Sequence, residues 1–159
     1  MIVNLEGLSG IRSRHADKKI VLTSGTFDLL HVGHLRYLNA VKAFGDVVVV
    51  MLSGDQRVKA RKGTQRPIIP EADRATMLDA LKVVDYVFVD PATSGPDKVD
   101  PVHSRIVQEL QPDMYVTDGP DPRFWTIMDK SKLRILPRTE GSGHASTSAI
   151  IQYITAQSH

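Results

Sequence analysis

Thr23-Ser24-Gly25-Thr26-Phe27-Asp28-Leu29-Leu30-His31-Val32-Gly33-His34-Leu35-Arg36-Tyr37-Leu38 is the stretch on which the fold of this 159-residue chain turns. Immediately before it, Ile20-Val21-Leu22 is a short apolar run with β-branched members, the pattern of a buried strand. Immediately after its start, Leu35, Leu38, Ala40, Val41 and Phe44 recur at helical spacing. The segment is therefore a strand that turns into a helix, with Gly25, Asp28 and two histidines at the turn. Such a junction directs backbone N–H groups outward, and the helix dipole favours negative charge there. His31 and His34, three apart on the first helical turn, project on the same side. Gly33 between them leaves the backbone open to close approach. Two imidazoles aimed at one point can donate hydrogen bonds to a phosphate whose charge is growing. An arbitrary His-x-x-His is more often a surface or capping pair. Here the glycine, the aspartate and the strand–turn–helix setting all agree on phosphate.

Working outward, residues 1–17 carry Leu5, Leu8 and Ile11 at helical spacing, which predicts a short leading helix or arm. The signature helix closes near Gly45, a suitable C-cap. Residues 46–52 form the strongest strand, its continuous apolar run fitting a parallel strand covered on both faces. Two such strands joined by a helix make a right-handed βαβ unit. Residues 58–70 hold Lys59, Arg61, Lys62 and Arg66 with two prolines and a glycine, which predicts a mobile basic loop able to fold over a triphosphate. Residues 71–84 read as a helix, 85–90 as a strand, 91–101 as a loop and 102–110 as a helix. A short strand over 112–117, a helical turn or two over 124–128, a strand over 133–136 and a final helix over 146–156 complete the alternation. This order predicts an α/β fold, a doubly wound parallel sheet of about five strands in one domain spanning 1–159.

Composition narrows the function. Hydrophobic residues at 42% and charged residues at 24% are ordinary for a soluble globular protein. A net charge of +2 is too small to argue for nucleic acid or a membrane surface as partner. With no cysteine the chain forms no disulfide or thiolate metal site, which fits a cytoplasmic setting. Its N-terminus lacks the apolar core of a signal peptide, and the run 47–52 is far too short to span a bilayer.

Gly25-Thr26-Phe27-Asp28-Leu29-Leu30-His31-Val32-Gly33-His34 resembles the signature of the His-x-Gly-His nucleotidyltransferases, the cytidylyltransferase-like superfamily. The resemblance runs from about Ile20 to Tyr153. It takes in Arg66-Pro67-Ile68-Ile69-Pro70-Glu71-Ala72-Asp73-Arg74 and a second block, Pro137-Arg138-Thr139-Glu140-Gly141 followed by Ser146-Thr147-Ser148. It implies a Rossmann-like fold, and transfer of a nucleotide monophosphate from ATP or CTP to a phosphorylated small molecule, with release of pyrophosphate. It implies His31, His34, Lys62 and Arg138 as catalytic side chains. Gly25, Thr26, Phe27, Asp28, Gly33, Arg74, Ser146, Thr147 and Ser148 are the implied nucleotide-binding residues. Mg²⁺ or another divalent cation is implied as cofactor, with Asp28 orienting its water shell or a histidine. A homodimer is the implied assembly.

The chain departs from the family pattern in two loops. Ser142-Gly143-His144-Ala145 lengthens the second block, and Thr117-Asp118-Gly119-Pro120-Asp121 replaces the usual glycine-aspartate-aromatic stretch. Residues 66–74 with Val84-Asp85-Tyr86-Val87 are similar to the adenylyltransferase branch, such as heptose 1-phosphate adenylyltransferases and archaeal FAD synthases. The Gly-Thr-Phe-Asp-Leu-Leu-His start and the Pro-Arg-Thr-Glu-Gly block look more like glycerol-3-phosphate cytidylyltransferase. ATP is favoured over CTP. A non-catalytic nucleotide-binding module is the alternative from another class, disfavoured because simple binding does not require both histidines.

Overall fold

The computed structural model describes residues 1–92, 100–136 and 146–157. Five strands, β1 (Ile20–Gly25), β2 (Val47–Ser53), β3 (Tyr86–Asp90), β4 (Met114–Thr117) and β5 (Leu133–Ile135), form one sheet in the order β3-β2-β1-β4-β5. Every pairing is parallel. The helices are α1 (Leu8–Arg14), α2 (Val32–Lys42), α3 (Asp55–Lys62), α4 (Glu71–Asp79), α5 (Pro101–Leu110), α6 (Pro122–Trp125) and α7 (Thr147–Ala156). The expected alternation is therefore present in the expected order.

Strand periodicity builds the two layers. Along β1 and β2, Ile20, Leu22, Val47, Val49 and Met51 pack with Leu8 and Ile11 of α1 and Ile106 and Leu110 of α5. The intervening residues Val21, Val48, Val50 and Leu52 pack with Leu38 and Val41 of α2 and Ala75 and Leu78 of α4. Both faces of the central strands are thus dry, which is why β2 reads as an unbroken apolar run. The leading residues form both an arm and a helix: Ile2 bridges to Val87 beside β3, and α1 lies in the core.

β1 and β4 are neighbours although their connections run to opposite sides of the sheet. The carboxyl ends of two such strands diverge into a crevice, where open α/β sheets bind ligands. Tyr37 of α2 spans this junction, donating to the carbonyl of Val116 at 3.1 Å while Thr23 Oγ1 lies 2.8 Å from its hydroxyl.

One expectation needs correction. Residues 58–70 are not a loop throughout, because α3 continues to Lys62 and only then reaches Gly63 at φ +91°. Val58 is 1% exposed and Arg57 is buried against Asp90, so α3 has an inward face too short to show as a periodic pattern. The α4 helix also stops at Asp79, with Leu81 and Val84 packing from the turn that follows.

Candidate active site

The loop from Gly25 to His31 places the signature side chains. Phe27 and Leu29 both hold φ at +48°, in the left-handed region where side chains are uncommon. The strain is supported from several sides. A Cβ on Gly25 would lie 2.6 Å from the Phe27 ring, so glycine alone lets that ring fold back over β1. The Phe27 ring meets His34 edge-on at 5.2 Å between centroids. Asp28 is 1% exposed, and its carboxylate accepts from the backbone N–H of Ile68 and Ile69 at 3.0 Å and from Arg66 Nε at 2.9 Å. Arg66 Nη2 lies 2.7 Å from the same carboxylate, close enough to pair in charge but not aligned for a hydrogen bond. Burial pushes the Asp28 carboxyl up, yet the two backbone donors and Arg66 outweigh it and hold it below its usual range.

The histidines form a reciprocal cap. His31 is the N-cap of α2, and its Nδ1 accepts from Gly33 N–H at 3.1 Å, while His34 Nδ1 accepts from His31 N–H at 3.4 Å. The rings stack with centroids 3.8 Å apart. A nitrogen that accepts a backbone N–H carries no proton, so each neutral imidazole carries its hydrogen on Nε2. The capping box therefore fixes the tautomer that makes both side chains donors.

These residues line a cleft of about 1250 Å³ at the carboxyl edge of the sheet. Gly25, Thr26, Phe27, Asp28, His31, Gly33, His34, Lys62, Ser146, Thr147 and Ser148 all contribute to its wall. The start of α7 is brought in from the far end of the chain. Thr147 Oγ1 donates to the carbonyl of Asp28 at 2.7 Å, and Ser146 caps the helix by accepting from Ala149 N–H at 3.2 Å. From the basic segment, Arg61, Lys62 and Arg66 reach the cleft, and Arg61 Nη2 donates to Thr26 Oγ1 at 3.2 Å. Arg138 lies outside the described residues, as does the longer loop at 142–145.

Two expected roles are redirected. Arg74 is not a phosphate contact and does not line the cleft. It is 1% exposed and donates to the carbonyls of Ile69, Thr26 and Ser53 and to Asp55 at 2.7 Å. With those donors engaged it is a strut that clamps the signature loop to β2 and to the segment before α4. Asp28 is likewise turned into the protein, so its carboxylate offers no exposed oxygen to a metal's water shell. Among the described residues no group of three or more His, Cys, Asp or Glu side chains is arranged to hold a metal.

A second polar group closes the crevice between β1 and β4, and no contiguous motif announces it. Arg123 forks onto Asp121 at 2.8 and 2.6 Å and reaches Asp90 at 3.1 Å. Asp90 also faces Arg57 at 3.7 Å and His103 Nε2 at 3.4 Å. His103 Nδ1 accepts from Asp100 N–H, so its hydrogen sits on the nitrogen facing Asp90. Burial raises both carboxyls, but for Asp90 the hydrogen bond from His103 and for Asp121 that from Arg123 lead the opposing effects, and both are held below the usual range. Tyr115, fully buried and beside Asp121, is pushed well above the usual phenol value. These residues are scattered from 57 to 123, and only parallel strand order gathers them.

A family model described as cytidylyltransferase-like matches residues 22–153. The bifunctional protein HldE of Geobacter metallireducens is 44% identical over 120 residues, covering 74% of this chain and 23% of that protein. The protein of the same name from Campylobacter curvus is 35% identical over 153 residues, covering 96% of this chain and 31% of its own length. The chain thus spans roughly a quarter to a third of these relatives. Among solved structures, a lipopolysaccharide core biosynthesis protein from Thermoplasma volcanium superimposes with a TM-score of 0.61 at 25% identity, over 77% of this chain and 99% of that one. A pantoate-beta-alanine ligase from Francisella tularensis, at 17% identity and a TM-score of 0.62, covers 96% of this chain and 72% of its own and shares the fold.

Proposed function

This chain belongs to the cytidylyltransferase-like family, and we propose that it is a nucleotidyltransferase that moves a nucleotide monophosphate to a phosphorylated sugar or polyol and releases pyrophosphate. The observation that carries this reading is the pair His31 and His34, locked by their own capping box as Nε2–H donors in the wall of the cleft. An oxygen of the acceptor phosphate attacks the α-phosphorus, the bond from that phosphorus to the bridging oxygen breaks, and pyrophosphate leaves. The nucleophile is already an anion, so no general base is required. The demand on the protein is alignment and positive charge.

The residues divide that work. His31 and His34 donate to the α-phosphate oxygens as charge accumulates there. Lys62, Arg61 and Arg66 face the β- and γ-phosphates from α3 and the segment after it. The N-terminus of α7, with Ser146, Thr147 and Ser148, offers backbone N–H groups and a favourable dipole. Arg138 is assigned to the same phosphates by the resemblance of its block. A divalent cation such as Mg²⁺, which dehydrates reluctantly, would be brought in with the triphosphate. It supplies charge neutralisation, and the described carboxylates form no resident site for it.

ATP is the favoured nucleotide, in keeping with the similarity of residues 66–74 and Val84-Asp85-Tyr86-Val87 to the adenylyltransferase branch. The acceptor is a phosphorylated sugar or polyol. We further assign the protein to the cytoplasm, in keeping with a chain that holds no cysteine. Exposed apolar residues Ile135, Tyr153 and Ile154 support a homodimer, testable by light scattering at micromolar concentration. The reaction itself is tested by phosphorus NMR of the protein with ATP or CTP and a panel of sugar and polyol phosphates. A new diphosphate diester signal with ATP is expected, and appearance of that signal with CTP alone would replace adenylyl by cytidylyl transfer.

A further inference from the structure

The buried group between β1 and β4 contains a closed ring of hydrogen bonds whose proton directions can be read without ambiguity. Asp121 is a carboxylate and can only accept. Tyr115 Oη lies 2.5 Å from Asp121 Oδ2, so the single phenolic hydrogen points to Asp121. Ser24 Oγ lies 2.6 Å from Tyr115 Oη. Because the phenol has no second hydrogen, Ser24 must donate to Tyr115. Arg123 Nη2 closes the ring, donating to Asp121 Oδ2 at 2.6 Å and approaching Ser24 Oγ at 3.4 Å. The Ser24 hydrogen is therefore held inward, and one lone pair of Ser24 receives Arg123.

Ser24 is half-buried and lines the cleft, whereas Tyr115 behind it is fully buried. A serine normally rotates its hydroxyl to suit any ligand. This one cannot, because turning its hydrogen toward the cleft would break the bond to Tyr115. What it shows the cleft is its remaining lone pair. Thr117, on the neighbouring strand and also lining the cleft, is fixed in the same sense, since its Oγ1 donates to the carbonyl of Gly119 at 3.0 Å. The two strand ends thus present acceptors, while α2, α3 and α7 across the cleft present cations and N–H donors.

We propose that Ser24 is a specificity-determining residue that, held as an obligate acceptor by Tyr115, Asp121 and Arg123, reads a hydroxyl group of the substrate beside the reacting phosphates. The inference rests on the nucleotidyltransferase reading and names the chemistry it selects: a ligand hydroxyl that donates. That hydroxyl belongs either to the nucleotide ribose or to the sugar of the acceptor. A group of equal size that can only accept meets Ser24 lone pair to lone pair and is rejected. Sites built around a substrate hydroxyl discriminate in this manner.

Deoxyfluoro analogues supply the test, because fluorine replaces hydroxyl at similar size and cannot donate. Binding of ATP and of 2′-deoxy-2′-fluoro- and 3′-deoxy-3′-fluoro-ATP is measured by calorimetry. In parallel, kcat/KM for pyrophosphate release is measured with the best sugar 1-phosphate of a panel and its monodeoxyfluoro forms. Wild-type protein should penalise one fluoro analogue, on one arm or the other, and the arm identifies which substrate Ser24 reads. In Ser24→Ala that penalty should shrink by roughly three- to tenfold, the range for loss of one hydrogen-bond partner. Tyr115→Phe frees the serine hydrogen to turn outward, so it too should soften the penalty while keeping Ser24 in place. A merely structural role would lower both ligands equally and leave the ratio unchanged. A Ser24-independent ratio on both arms overturns the inference. Wild-type protein that binds no nucleotide overturns it together with the enzyme reading, whereas normal turnover with unchanged ratios overturns the subsite alone.

Discussion

Thr147 Oγ1 donates a hydrogen bond to the carbonyl oxygen of Asp28 at 2.7 Å, joining residues 119 positions apart. This contact ties the start of the last helix to the strained loop that carries both histidines. Asp28 in turn holds residues 66–69 through its side chain. Three segments that each offer positive charge or N–H donors are therefore fastened to one residue. Thr147→Val keeps the shape and removes the donor. Its KM for the nucleotide should rise by about three- to tenfold, as loss of one hydrogen bond predicts. An unchanged KM would mean that α7 is positioned by other contacts.

The histidines are expected to act in the chemical step. His34→Ala should lower kcat by at least about a hundredfold, the usual cost of one preorganised donor in an oxyanion-type site. At position 31 the side chain is also a cap, so His31→Ala mixes two losses. His31→Asn keeps a good capping acceptor. It should hold the melting temperature near that of the parent while still losing most of the activity. A fully active His31→Asn would reduce His31 to its capping role.

Lys62, at the C-terminal end of α3, lines the cleft and is proposed, with Arg61, to hold the triphosphate tail. Lys62→Ala should raise KM for the nucleotide several times more than KM for the acceptor, read in paired saturation curves at fixed Mg²⁺. Equal effects on both substrates would leave Lys62 as a solvated surface cation.

Acid should weaken the fold through Asp28, Asp90 and Asp121, each held below its usual range. A carboxyl with a lower pKa in the folded state stabilises the protein above its unfolded value, near pH 4, and loses that contribution as pH falls through the folded value. Melting temperature should therefore show no decline from these groups between about pH 6 and 8, and should drop below about pH 4. Asp90→Asn strands Arg57 and Arg123 without their shared counter-charge. Breaking such a buried pair costs on the order of 3–5 kcal/mol. The variant should melt lower at neutral pH and show a shallower acid limb, and an unaltered acid limb would remove Asp90 from the list.

Much of this was legible in the chain because local patterns decide it. The β1–α2 turn is written in contiguous residues, and the apolar alternation of β1 and β2 specifies a sheet covered on both sides. The inward face of α3 was not, because Arg57 supplies half of it and a buried arginine looks polar until Asp90 is beside it. Arg74 was misplaced for the same reason: its donors are satisfied by the carbonyls of Thr26, Ser53 and Ile69, which no spacing rule connects to position 74. The Ser24–Tyr115–Asp121–Arg123 ring is invisible in sequence since it depends on β1 and β4 being neighbours. The loop after β4 departs from the family pattern, and in the structure it holds Asp121 and the N-terminus of α6.

Pyrophosphate release is the most direct measurement of the central proposal. The protein is incubated with ATP, Mg²⁺ and a panel of sugar and polyol phosphates, with His34→Ala as the paired control. Release that requires both the nucleotide and one acceptor, and that falls at least about a hundredfold in His34→Ala, is the expected result. Tight nucleotide binding with no release for any acceptor or nucleotide, or release undiminished in His34→Ala, would contradict it.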